Sequence, residues 1–356
     1  MTEAYGNPAS AHHYGITAER AIKQATRQLE KAIGDHDGDL GRLYWTSGGT
    51  ESDALAVIGA ARAHQRRGKH LLYSAIEHPA VRNSCALLCR SGWSAEAASV
   101  HSNGVLNISD VLERVTDETT VCSVMLVNNE IGTIQPIAEL AAQLAASHPH
   151  IHLHCDAVQA LGKIPIDVHQ LGVHSLAFAA HKIHGPKGIG ALWLKKGAAV
   201  APFWGGGGQQ EGIRPGTHNV PGIAAMGLAA ELATAELATH REQFERQRST
   251  LRAAAEASGV PFLVNGDGAD CAPHILSLAF RGVPAEPLLH ILESRGILVS
   301  AGSACAERDR KPSPVLTAIG LDKSYGTIRL SLGRDSLDTD IATAAETLST
   351  AVKGFV

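Results

Sequence analysis

Three residues invite a chemical reading before any other: Asp156 in HCDAVQALGK, Lys182 in AAHKIHGPKG and Cys305 in VSAGSACAE. Asp156 closes a short apolar run that reads as a strand, and α/β proteins bind ligands beyond the carboxyl ends of their strands. A carboxylate there can keep a ring nitrogen protonated. Lys182 follows between a second apolar run and a Gly/Pro turn, a setting that suits a Schiff-base lysine. Taken alone it reads as a surface loop lysine. Cys305 sits among Gly, Ser and Ala, whose small side chains leave a thiol accessible enough to react; without context it reads equally as a half-buried loop cysteine.

LYWTSGGTES, at 43 to 52, sets a strand, a glycine pair and hydroxyl residues directly before a helix. The free N–H groups and dipole of such a terminus favour a phosphate, although an ordinary strand-to-helix turn has the same appearance. Phosphate turn, carboxylate and lysine in that chain order form the set a pyridoxal-phosphate enzyme needs. Arg329 interrupts the apolar strand pattern of TIRLSLG, so it either pairs with an internal acid or receives a carboxylate ligand. His152, His154 and Asp156 alternate along one strand and share a face, a pattern that can ligate a transition metal. Crowding on a buried strand and the better role for Asp156 make that reading the weaker one, and no metal is expected. Cys85 and Cys89, at i and i+4, read as helix packing.

The elements that must position these residues follow from hydrophobic periodicity. Ile22, Ala25, Leu29 and Ile33 line one face of a helix over 17 to 33. Short apolar runs at 43–45, 71–76, 121–127, 151–157, 175–180 and 189–194 then alternate with helical stretches at about 51–67, 79–91 and 136–147. This alternation predicts an α/β fold around a mainly parallel sheet. GGGGQQEGIRPGTHNVPG, near 205 to 222, is too rich in Gly and Pro for a regular element and reads as a functional loop. A long helix over about 219–257, with room for a break, bridges to a smaller α+β domain built on HILSLAF, a helix near 284–295, ILVSAG and TIRLSLG. The expected division is a large domain over 1–235 and a small one over 236–356.

The chain has 356 residues, enough for two cores, and a formal net charge of -4. That balance, with no Lys/Arg track, excludes nucleic acid as a partner. No apolar run reaches membrane-spanning length and the amino terminus lacks signal-peptide character, so a cytoplasmic protein with no membrane contact is expected. Six Cys without metal-finger spacing read as reduced thiols.

Together the motifs resemble those of the cysteine desulfurases, within the fold-type I pyridoxal-phosphate enzymes of the class-V aminotransferase kind. YGNPASAHHYG, TSGGTES, EHPAV, VNNEIGTIQP, DAVQALGK, AHKIHGPKGIGAL, GGGGQQEGIRPGT, SAGSACAE and TIRLSLGR stand in the family's order over nearly the whole chain. The resemblance implies a large domain whose seven-stranded sheet lies between helices, and a small domain carrying the cysteine loop. It implies pyridoxal 5'-phosphate as cofactor, with Lys182 bound to it, Asp156 on the ring nitrogen, Gln159 on the phenolic oxygen, and Asn129 beside that oxygen and the substrate. His78 would stack on the ring and shuttle protons. Gly49, Thr50 and His181 would form the phosphate cup, with Thr217 reaching in from a second subunit of a homodimer. Arg329 would take the carboxylate of L-cysteine, and Cys305 would receive its sulfur as a persulfide for a sulfur-acceptor protein such as an iron-sulfur scaffold. The six residues between Cys305 and Pro312 resemble the family's longer loop style, which favours direct delivery.

Three departures stand out. The chain opens almost at YGNPAS, without the family's usual opening segment; Ala179 stands where relatives commonly carry a phosphate-binding serine; and Ala54 replaces a common asparagine. The alternatives are a selenocysteine lyase, another fold-type I aminotransferase or lyase in which Cys305 is incidental, and a non-catalytic subunit that binds a sulfur-transfer partner.

Overall fold

The computed structural model describes residues 5–301 and 313–355. Cys305 lies outside the described residues. The chain forms two compact units.

The first unit takes in residues up to 98, 108–126 and 136–237. Its elements in chain order are α1 (His13–Ala32), β1 (Gly41–Thr46), α2 (Gly49–His64), β2 (His70–Ser74), α3 (Pro79–Cys89), β3 (Ser94–Ala98), α4 (Ile108–Arg114), β4 (Thr119–Ser123), α5 (Ile137–Ser147), β5 (His152–Asp156), α6 (Val168–Leu171), β6 (Ser175–Ala179), β7 (Gly190–Lys195) and α7 (Val220–Ala235). The strands form one seven-stranded sheet in the order β1-β7-β6-β5-β4-β2-β3. From β3 to β6 every pairing is parallel, while β7 runs antiparallel to both β6 and β1. The reversal has a local cause: the ten residues between β6 and β7 are fewer than a parallel crossover requires.

All five residues of β4, β5 and β6 are buried, as expected where helices cover both faces of a parallel sheet. The residues of α2 from Leu55 to Ala61 are buried on every side, which suits a helix wedged against the sheet. Small residues make that closeness possible. A Cβ on Gly59 would come within 2.3 Å of a Val200 methyl.

The second unit holds 99–107, 127–135 and 238–356. It contains α8 (Leu237–Ala257, from its second residue), β8 (Phe262–Val264), β9 (Ile275–Arg281), α9 (Ala285–Glu293), α10 (Pro314–Ala318), β10 (Tyr325–Ser331) and α11 (Asp338–Lys353). Its antiparallel sheet, in the order β10-β9-β8, packs Leu276, Leu278, Phe280 and Ile328 against Phe244, Leu251, Leu288, Leu292 and Leu348. Burying each such side chain is worth roughly 1.5–3 kcal/mol.

The long helix expected over 219–257 is two helices, broken at Glu236. In the ILVSAG segment, among the described residues, Ser300 forms an isolated bridge with Arg329. No single described helix is long and apolar enough to cross a membrane.

Candidate active site

In the first unit, the end of β5 is pinned from both sides. The Leu126 N–H donates to the Asp156 carbonyl at 2.8 Å, and the Ala157 N–H donates to Ala177 at 3.1 Å. The Asp156 carboxyl, 5 % exposed, accepts the Val158 N–H at 2.9 Å. Burial pushes its pKa up to about 8, reinforced by Asp53 and opposed by the Val158 N–H, His154 and Lys182. Among the described residues, His154 and Lys182 do not offset that burial. A protonated ring nitrogen is a fitting counterpart.

His78 caps α3 by accepting the Ala80 N–H on Nδ1 at 3.1 Å, with Pro79 at the first helical position. Burial first, then the charges of Lys182 and Arg82, push the His78 imidazole down to about 4. The ring is therefore neutral at pH 7, and with Nδ1 occupied as an acceptor its proton sits on Nε2. Polar side-chain atoms of Asp53, His78 and Asp156 lie within 4.8 Å of one another.

Lys182 stands on the short 3-10 turn Ala180–Ile183 that follows β6. His184 ends the turn in the left-handed region at φ 62°, and the Gly185 N–H closes back on the Ala180 carbonyl at 2.9 Å. Lys182 and its neighbour His181 are exposed. The Lys182 charge acts on both His78 and Asp156, which brings lysine, imidazole and carboxyl into one site.

The amino end of α2 has no side-chain cap, so backbone donors near Gly49 and Thr50 remain available to a ligand. A Cβ on Gly49 would lie 2.8 Å from a Val158 methyl and 3.5 Å from the Ala179 Cβ, which ties this terminus to the turn after β5. A Cβ on Gly190 would come within 2.6 Å of the Gly48 backbone, so glycine is required there too. Glu51 fastens the Gly-rich loop to α2: it accepts the Ser47 N–H at 2.6 Å and the Arg214 Nε–H at 2.9 Å. Gln210 continues the anchoring by accepting the Trp45 N–H and donating to the Trp45 carbonyl. Thr217 follows this anchored stretch and is exposed, while Gln159 lies half-buried in the turn after Asp156.

A buried pair behind Asp156 was not foreseen from sequence. His154 Nε2 lies 3.2 Å from the Asp53 carboxyl, and its Nδ1 lies 2.9 Å from the Ser175 hydroxyl, which His152 Nε2 also meets at 2.8 Å. Burial pushes Asp53 up to about 8 and His154 down to about 4, leaving the pair with one proton at neutral pH. Glu77 is likewise held well above the usual carboxylate range by burial and Asp156, and accepts the Met125 N–H at 2.5 Å. The one sequence hint was an acid at the start of the otherwise apolar DALAVIGAA.

In the second unit, Arg329 lies on β10 and donates from Nη1 to the Asn129 carbonyl at 2.9 Å. Asn129 belongs to a tight turn in which the buried Asn128 side chain accepts the Glu130 and Ile131 N–H groups. The Ser313 hydroxyl donates to Glu130 at 2.6 Å. Cys85 and Cys122 are buried thiols pushed up to about 12, and Cys155 is also well above the ordinary thiol range, so none is suited to act as a nucleophile. Cys85 packs in the core as expected, whereas Cys89, one turn later, is exposed.

Residues 1–343 match the Aminotransferase class-V family. Cysteine desulfurase IscS of Methanosarcina thermophila is 39 % identical over 343 residues, 96 % of this chain and 83 % of its own length. A solved NifS-like protein superposes with a TM-score of 0.90 at 31 % identity, covering 99 % of this chain and 93 % of its own. SspA, solved in complex with cysteine, gives 0.80 at 32 % identity, covering 93 % and 92 %. The uncapped helix, the buried carboxyl and the lysine turn thus stand on a fold shared with these proteins over nearly its full length, and the chain belongs to the class-V aminotransferase family, among the cysteine desulfurases.

Proposed function

We propose that this protein is a pyridoxal 5'-phosphate-dependent cysteine desulfurase that converts L-cysteine to L-alanine and receives the sulfur on Cys305. The observation that carries this is the convergence of buried Asp156, neutral His78 and the Lys182 turn beyond the carboxyl ends of β5, β2 and β6. Asp156 holds the ring nitrogen, Gln159 the phenolic oxygen, and Gly49, Thr50 and His181 the phosphate, joined by Thr217 of a second subunit. When bound there, the cofactor supplies an electron sink that eases loss of the substrate's α-proton.

The chain's own groups supply the rest. Arg329 binds the substrate carboxylate, with Asn129 beside it. The Lys182 amine takes the α-proton and returns it, and His78, with Nε2–H facing away from its capping bond, relays protons. The Cys305 thiolate attacks the substrate sulfur: the S–S bond forms, the Cβ–S bond breaks, and Cβ acquires a proton. One thiol and one cysteine thereby become one persulfide and one alanine, with no external oxidant.

The cysteine seen in the SspA complex supports the substrate class. The persulfide is passed to a sulfur-acceptor protein, for which an iron-sulfur scaffold is the leading example. A homodimer is supported by Leu228 and Leu232, exposed one turn apart on α7. Free thiols at all described cysteines support a reducing, cytoplasmic setting.

The test is the visible spectrum of the protein loaded with pyridoxal phosphate, before and after L-cysteine, with alanine and protein persulfide assayed alongside. A cysteine-dependent band shift with alanine release is expected, and Lys182→Ala abolishes both. Cys305→Ala should keep the spectral response and lose the persulfide. A band indifferent to cysteine overturns the assignment.

A further inference from the structure

At the opposite end of the sheet, the amino end of β5 faces a cavity of about 330 Å³ that the desulfurase reading does not use. Its lining includes His64 at the end of α2, Arg67, His150, His152 at the start of β5, His174 just before β6, and Lys195 at the end of β7. Lys196 adds a further positive charge, and among the described residues no acidic side chain lines the cavity. Every one of these residues belongs to the first unit.

Charges of one sign are rarely gathered around a concavity without a counter-ion, because each desolvates and repels the others. The histidines register that repulsion. Each is held below the ordinary imidazole range, chiefly by burial. The further causes are Arg67 and His150 for His64; Arg67 and His148 for His150, opposed by the Thr119 carbonyl and Asp117; His174, His154 and His64 for His152; and Lys195 and His64 for His174.

The hydrogen bonds set what the cavity can offer. His174 Nδ1 accepts the Leu153 N–H at 3.1 Å, which leaves its Nε2 as a donor. His150 Nε2 is buried without a hydrogen-bond partner among the described residues, so on protonation it becomes a donor in need of an acceptor. The carbonyl end of α2 offsets part of the positive field, but only by about half an elementary charge. The guanidinium of Arg67 and the ammonium of Lys195 dominate it.

We propose that this cavity binds the phosphate of a small, multiply charged ligand, separate from the cofactor's phosphate cup at the other end of α2. The volume admits a diphosphate but not a folded chain, and arginine, lysine and imidazolium are the donors that phosphate oxygens favour. Binding draws protons onto the histidines, so affinity rises as pH falls.

The experiment is calorimetric titration of inorganic pyrophosphate, and in a second arm ATP, into the chain already loaded with pyridoxal phosphate, so that the cofactor's cup is filled. Wild-type protein should bind more tightly at pH 6 than at pH 8. Arg67→Ala combined with Lys195→Ala should weaken binding at least tenfold while basal alanine production stays unchanged. His150→Gln should reduce the pH dependence. Tight ATP binding with weak pyrophosphate binding would identify a nucleotide as the source of the phosphate, and equal binding a free polyphosphate; both support the site. Absence of binding by the wild type at millimolar ligand, affinity unchanged in the double variant, or binding of Zn²⁺ in place of either phosphate would each overturn it.

Discussion

Asp156 and Asp53 are acids withdrawn from water, and both are pushed up to about 8 for that reason. They nevertheless call for different tests. In the proposed function Asp156 pairs with a cation of the ligand, so Asp156→Asn should lower alanine production about a hundredfold or more, the scale of losing one placed charge, while the cofactor still binds. Asp53 already has His154. Between about pH 4 and 6.5 the folded pair and the unfolded chain each hold one proton, so the pair contributes no pH dependence. From 6.5 to about 8 the folded pair keeps its proton and the unfolded chain holds none, so stability falls as pH rises, by about 1.4 kcal/mol per unit. Asp53→Asn has no such proton to lose. Unfolding free energies of cofactor-free wild type and variant, from urea titrations at pH 6.5 and 8, should diverge by roughly 1–2 kcal/mol, with the wild type losing more.

At the scale of elements, the amino end of α2 is shaped by what packs beneath it. Gly49 is required by Val158, so Gly49→Ala should displace the first turn and weaken cofactor binding by about tenfold or more, as read by cofactor dissociation. Ala179 ends β6 next to that same glycine. Ala179→Ser should add a hydroxyl near the phosphate cup and slow cofactor loss about tenfold, since a hydrogen bond to a charged group is worth about 1.5–3 kcal/mol. No slowing would mean that Ala179 costs the protein nothing. Nothing in the structure explains Ala54.

At the scale of the molecule, α7 presents Leu228 and Leu232 outward, whereas Val220, Ile223, Met226 and Ala230 of the same helix are buried. A pair of charges there, Leu228→Glu with Leu232→Glu, should shift sedimentation from dimer to monomer. Alanine production should fall with it, because Thr217 would no longer be supplied across the interface. A monomeric wild type would remove the basis for that prediction. The partition into units also differs from a single cut in the chain: residues 99–107 and 127–135 group with the carboxyl-terminal part, so Asn129 belongs with Arg329.

What the sequence determined by itself is what local patterning can carry. Alternating apolar runs and helices required a parallel α/β sheet, and each chemical motif fell at an element boundary, where Gly, Pro and hydroxyl residues leave a direct trace. The tertiary structure decided the rest, because it depends on neighbours distant in the chain. Asp53 and His154 are 101 residues apart, and only packing α2 onto β5 makes them a proton-sharing pair. His64, Arg67, His150, His174 and Lys195 gave no sequence pattern, since the sheet brings the ends of three strands and one helix to the same edge. The reversal of β7 and the break at Glu236 likewise follow from connection length and three-dimensional packing, which hydrophobic periodicity does not record.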